Sequence, residues 1–263
     1  MANKFVPPRS IGDLAESIAM TYDTAVTPLE QILKDEEIPY VEDDYGDAFD
    51  GMTVYDTSFF IHLNTSRGNH IDSSRGRFTM AHELAHCIIE SHRKGIISGE
   101  LKPHPSKTNQ SFHFRLEREA DYFASCLLMP EFRFRKECLG KPFGFDLIVH
   151  ISNTFQVSLT AAALRFALVG THPIIVIYSK GAGIEWYLPS NDFPFKMLLD
   201  GKDSIPVNTL MSDFFKDGKR YEEIVEIEAQ DWFRTYRPED TGREFYEKCI
   251  YGPDGVISII WEE

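Results

Sequence analysis

Cysteine is scarce in this chain. The 263 residues include four, Cys87, Cys126, Cys138 and Cys249, and no two have paired spacing. That excludes a Cys₄ zinc site by pattern and fits a reducing, cytoplasmic setting. Long apolar runs are also missing. No stretch of about 18 uninterrupted apolar residues exists, so a membrane span is not expected. The opening residues, Met1 to Pro8, lack the apolar core of a signal peptide. Positive charge is in deficit: 27 Lys and Arg against 41 Asp and Glu leave a formal charge of −14. This counts against nonspecific binding to nucleic acid or to an anionic membrane, and leaves basic polypeptides open as partners, DNA-binding proteins among them. Internal repeats and low-complexity tracts are absent too. What is there is a globular composition, 43% hydrophobic and 13% aromatic, long enough for one or two domains.

The charge is unevenly spread. Residues 35–50 hold eight acids and no base, residues 67–141 carry a local excess of four bases, and residues 171–263 sum to −8. Such runs are ordinarily solvated faces; an acidic rim would also attract a basic polypeptide.

Residues 10–22 and 27–35 read as short helices, with Pro28 at a first helical position. Residues 51–64 read as a β-hairpin around Asp56-Thr57. Residues 74–93 show a helical stripe of Ala81, Leu84, Ala85 and Ile88, ended by Gly95 in the left-handed conformation. A long loop is expected over 95–114, a candidate lid. A second amphipathic helix covers 115–129 and stops at Pro130. Two more helices cover 145–155 and 158–169. From Thr171 the texture turns to strands: Ile174–Tyr178 and Ile184–Leu188 around Gly181-Ala182-Gly183, then Val225, Ile227 and Ala229 alternating with acids, then Ile250 and Val256 around Gly252-Pro253-Asp254-Gly255. A boundary near Gly170–Pro173 divides domains 1–170 and 171–263.

The sharpest local feature is His82-Glu83-Leu84-Ala85-His86. Residues four apart on a helix lie about 40° apart on one face, so both imidazoles can aim at one point. Zn²⁺ accepts neutral imidazole nitrogen well. Glu83 can then serve as general base toward a water at the metal, and as proton shuttle to a leaving amine. Catalytic zinc takes three protein ligands, and Glu117 and Asp121 are candidates on the next helix. Glu117 can complete the site as an oxygen ligand. Asp121 can hold the distal nitrogen of a ligand histidine. Glu119 projects about 200° from Glu117 and is expected to face solvent. His92, His104, His113 and Tyr122 are candidate donors to an oxyanion; a loop histidine is first of all a solvated residue, and a helical Tyr first of all packs. Cys87 and Cys126 read as small buried residues. The strand Phe59–Leu63 reads equally as an edge open to an extended peptide or as an interior strand. The pair 145–155 and 158–169 mimics a helix-turn-helix, but His150 and Arg165 supply too little charge to read DNA.

Arg77-Phe78-Thr79-Met80-Ala81-His82-Glu83-Leu84-Ala85-His86 resembles the active-site helix of the ImmA/IrrE metallopeptidases. So does Glu117-Arg118-Glu119-Ala120-Asp121-Tyr122-Phe123-Ala124 followed by Leu127-Leu128-Met129-Pro130, and the resemblance extends over roughly residues 10–170. It implies an α+β, gluzincin-like (zincin-like) fold, a small antiparallel sheet over two metal-bearing helices, followed by a smaller strand-rich α+β domain. It implies His82, His86 and Glu117 as ligands of zinc, with Mn²⁺ or Fe²⁺ also accepted by such a set, and Glu83 as the catalytic residue. Many relatives carry Asn at the place of Asp121. Family members cleave helix-turn-helix repressors and so release stress-response or mobile-element genes. A basic DNA-binding repressor is therefore the expected protein partner. The alternatives are a non-catalytic, metal-stabilised binding module, or a toxin or antiphage effector restrained through residues 171–263. Trp186, Ser190 and Phe193-Pro194 resemble a tail segment of other family members.

Overall fold

The computed structural model describes residues 8–101, 115–181, 183–253 and 255–263. These described residues fall into two compact units, one within 1–133 and 152–158 and the other within 134–151 and 159–263.

The first unit starts with α1 (Arg9–Met20) and α2 (Leu29–Asp35), where the sequence places them. Pro28 is the residue before α2 rather than its first helical position. Three strands follow, β1 (Tyr40–Asp43), β2 (Gly51–Tyr55) and β3 (Phe59–Asn64). The hairpin β2–β3 is antiparallel, as its turn residues require. The strand β1, inside the acidic stretch, joins β3 in parallel, so the sheet is mixed, in the order β1-β3-β2. The pattern of β1 is Tyr-Val-Glu-Asp, and its one-sided charge hides the period that would mark a strand. Phe59–Leu63 is thus an interior strand, and the edges are β1 and β2.

Two helices carry the site. The first, α3 (Ser74–Ile88), begins at Ser73, whose hydroxyl accepts from the Gly76 N–H at 2.9 Å. It packs on β2, β3 and α5 (Arg115–Leu128) at once, so Gly76, Arg77 and every residue from Thr79 to Cys87 are buried. Ala81, Ala85, Ala120 and Ala124 are wholly inaccessible, and such small side chains let α3 and α5 come close. The helix expected over 74–93 is in fact two. Ile89 leaves helical geometry (φ −64°, ψ 118°), and α4 (Glu90–Ile97) starts directly after it. Gly95 lies inside α4, pressed on Leu101, and the left-handed glycine is Gly99 (φ 76°). The segment expected as a loop from 95 therefore begins in helix; its part over 102–114, the candidate lid, lies outside the described residues.

The second unit contains α8 (Leu159–Val169) and a five-stranded antiparallel sheet, order β5-β4-β8-β7-β6. Its strands are β4 (Ile174–Ser179), β5 (Ile184–Pro189), β6 (Val225–Glu228), β7 (Glu244–Tyr251) and β8 (Val256–Trp261). The helix α6 (Glu131–Cys138), unforeseen in the sequence, and α7 (Phe145–Phe155) straddle the division between units. The grouping differs from a cut near 170 because α8 packs on β4. Its Arg165 is 2% exposed, which removes it from any DNA-facing surface. The helices α9 (Leu210–Asp217), α10 (Ala229–Trp232) and α11 (Pro238–Thr241) interrupt the strands, so Ala229 starts a helical turn rather than extending β6. Phe193, Phe195, Phe233 and Phe245 pack together in the core, with Phe195 stacked on Phe233 at 5.1 Å. Trp186 stacks on Tyr178, and the Ser190 hydroxyl accepts from the Ile174 N–H. Those tail residues thus build the sheet. Among the described residues no single helix is long and apolar enough to cross a membrane.

Candidate metal centre

His82 and His86 sit one turn apart on α3, and Glu117 faces them from the first turn of α5. Their Nε2 atoms are 3.3 Å apart, and Glu117 places Oε2 at 3.3 Å from His82 Nε2 and Oε1 at 3.5 Å from His86 Nε2. All three side chains are buried. A tetrahedral ion with arms of about 2.0–2.1 Å needs donor atoms about 3.3 Å apart, which the Nε2–Nε2 distance matches, while Glu117 approaches each nitrogen with a different oxygen. The donor chemistry fits as well. Two imidazole nitrogens and a carboxylate crowd within 4.8 Å in a buried place, and a cation or protons must relieve that crowding. His82 responds accordingly: burial opposes its charge, but hydrogen bonds to Asp121 and Glu117 outweigh burial and hold its pKa well above the usual imidazole value. These three residues can hold a divalent ion.

Asp121 accepts from His82 Nδ1 at 2.9 Å, the place the sequence reading gave it as a partner of a ligand histidine. With Nδ1 carrying the proton, a neutral His82 would keep its Nε2 lone pair for an ion shared with Glu117. Asp121 is not one of the converging three.

Glu83 is 1% exposed and lies between α3 and β2. The Thr53 hydroxyl approaches its Oε2 at 2.8 Å and its main-chain oxygen at 3.0 Å. Gly51 completes the cradle. A Cβ there would fall 2.8 Å from Glu83 Oε1 and 2.6 Å from Thr79 Cγ2. Asp50 fixes the start of the strand by accepting from Arg67 at 2.7 Å and Arg75 at 2.9 Å. Thr53, Gly51 and Asp50 were not singled out in the sequence; a glycine opening a strand beside a buried acid is the signal that was available.

Two expectations are overturned. Glu119 does not face solvent: it is 2% exposed and accepts from His92 Nε2 at 3.1 Å and Arg115 Nε at 2.6 Å. His92 is not a solvated residue: it is wholly buried, with Nδ1 at 3.2 Å from His86 Nδ1. Burial lowers its pKa more than Glu119 raises it. The reason is the break at Ile89. On an unbroken helix, six residues advance about 600° and 9 Å, which would carry His92 away from His86. Tyr122 packs: its hydroxyl lies where a Cβ on Gly12 of α1 would come within 2.8 Å. His113 and His104 lie outside the described residues. Cys87 and Cys126 are buried, as read, and burial pushes the Cys87 thiol far up.

Paired histidines and a facing glutamate are an arrangement that can hold a metal, with a cradled acid on the same helix as the histidines. Residues 49–167 match the family model of Peptidase M78, the IrrE N-terminal-like domain, in line with the ImmA/IrrE resemblance. A solved Mycobacterium tuberculosis transcriptional regulator is similar in fold, with a TM-score of 0.63 and 16% identity over 97% of this chain and 76% of that one. No curated protein gives a significant match.

Proposed function

We propose that this protein is a zinc-dependent endopeptidase that cleaves a specific regulatory protein, foremost a helix-turn-helix repressor. The carrying observation is the convergence of His82, His86 and Glu117 beside the cradled Glu83, within a Peptidase M78 domain. His82 and His86 would hold the ion through Nε2 and Glu117 through its carboxylate. The ion supplies Lewis acidity to the scissile carbonyl and to the attacking water. The Glu83 carboxylate takes a proton from that water and passes it to the leaving amine. The Thr53 hydroxyl and the space left by Gly51 hold the carboxylate in place for this. Substrate backbone would pair along β2, the sheet edge that packs on α3. The charge of −14 favours a basic substrate, and a structural neighbour described as a transcriptional regulator agrees with a role in gene control. Residues 171–263 would serve recognition or regulation.

The test is cleavage of basic helix-turn-helix proteins and of a proteome-derived peptide library by the zinc-loaded protein, read by mass spectrometry. Glu83→Gln should retain zinc and lose about 10²–10⁴ in rate. Equal cleavage by Glu83→Gln would overturn the proposal.

A further inference from the structure

Asp121 backs His82 directly, whereas His86 is backed through a second imidazole. An Nδ1–Nδ1 separation of 3.2 Å between His86 and His92 needs one donor and one acceptor. His86 Nε2 faces His82 and Glu117, so with an ion held among them its lone pair belongs there and its proton belongs on Nδ1. His92 Nδ1 is then the acceptor, and a neutral His92 carries its proton on Nε2. That proton points at Glu119 Oε2, 3.1 Å away. Glu119 Oε1 accepts from Arg115, whose side chain is 71% exposed, so the chain of bonds runs from the metal position to solvent. Each bond fixes the direction of the next. No separate structural need explains a wholly buried histidine here, since an apolar side chain would avoid the cost of desolvating two ring nitrogens.

We propose that His92, Glu119 and Arg115 form a positioning relay that holds His86 in its Nδ1–H form, with the Nε2 lone pair on the metal position. The break at Ile89 serves this relay, because it returns His92 to His86. The inference rests on the metal reading above, and goes beyond it by assigning residues that touch neither metal nor substrate.

The experiment uses the full chain, labelled with ¹⁵N-histidine and loaded with zinc. Two-bond proton–nitrogen correlation spectra report each ring's tautomer. The expected result is His86 protonated on Nδ1 and His92 protonated on Nε2. Zinc affinity, measured by competition with a chelating dye, should fall about 10–100-fold in His92→Phe and Glu119→Ala. It should recover in His92→Gln, whose amide oxygen can accept from His86 while its NH₂ donates to Glu119. A zinc-binding protein whose His92 carries its proton on Nδ1 overturns the relay and leaves the metal reading standing. So does undiminished affinity in both weakened variants. A wild-type chain that takes up no zinc overturns both.

Discussion

Gly51→Ala tests whether the space beside Glu83 matters. The added Cβ would lie 2.6 Å from Thr79 Cγ2, 2.8 Å from Glu83 Oε1 and 2.9 Å from Glu83 Cγ. Carbon atoms rest about 3.5–4.0 Å apart, so something must move by about 1 Å. Neither neighbour can swing away cheaply. Thr79 is buried and donates to Asn69 at 2.8 Å, and Glu83 is held by Thr53. Overpacking of this kind costs about 1–3 kcal/mol. At about 2–4 °C per kcal/mol the melting temperature should fall by about 2–12 °C. If Glu83 is what moves, a displacement near 1 Å costs turnover of a peptide drawn from the library screen about 100-fold. Zinc content should stay at the wild-type level, because the three atoms nearest the new methyl group belong to Thr79 and Glu83. Gly144→Ala is the control: its Cβ meets nothing within 4 Å, and both melting and turnover should stay put. Wild-type melting and turnover in Gly51→Ala would refute the packing argument. Zinc loss in step with activity loss would refute the assignment of the damage to Glu83.

Removing the metal should change the sign of the pH response. In the metal-free chain the folded pKa of His82 stands well above its unfolded value, so its stabilisation is complete below about pH 6.5 and is lost as pH rises through the folded pKa. Zinc requires neutral imidazole and should reverse that slope; a metal-free melting temperature that climbs with pH there would contradict this. Glu117→Gln should abolish stoichiometric zinc in elemental analysis while leaving a folded chain. In the second unit, burial raises the pKa of Glu247, which is wholly inaccessible and accepts from Ser258 at 2.6 Å and Trp232 at 3.0 Å. Ser258→Ala should therefore cost about 1–3 kcal/mol by urea unfolding at neutral pH, because the buried carboxyl loses its shortest hydrogen bond and keeps on that oxygen only the weak donor Cys249. Glu247→Gln should melt no lower than wild type, since the Ser258 hydroxyl can accept from the new amide.

The three converging residues were legible because helix geometry turns an i, i+4 spacing into a shared face, and because α3 and α5 carry clear apolar stripes. Asp121 followed from the same arithmetic on α5. Glu119 did not: an angular count from Glu117 puts it on the far face, and nothing in the count says that His92 of α4 reaches it there. His92 was lost for a related reason. Ile88-Ile89 holds neither Pro nor Gly, so local chemistry gave no sign of a break, and the helical period ran on past it. β1 escaped because acids mask its alternation, and it is tied in through β3, a pairing set by tertiary contact. The strands of the second unit were visible from their turn glycines, whereas the grouping of α8 with them depends on packing that no boundary signal records.

The interruption at Ile89 uncouples two spacings that an unbroken helix would lock together. His82 and His86 are phased by the helix itself, and any insertion between them destroys the face they share. His86 and His92 are phased by a corner. A chain one residue longer or shorter there can keep both histidines in its sequence and still separate them in space. Chains of this kind that carry the first motif can therefore be sorted by the length of that corner, and the sorting would divide sites with a backed second ligand from sites without one.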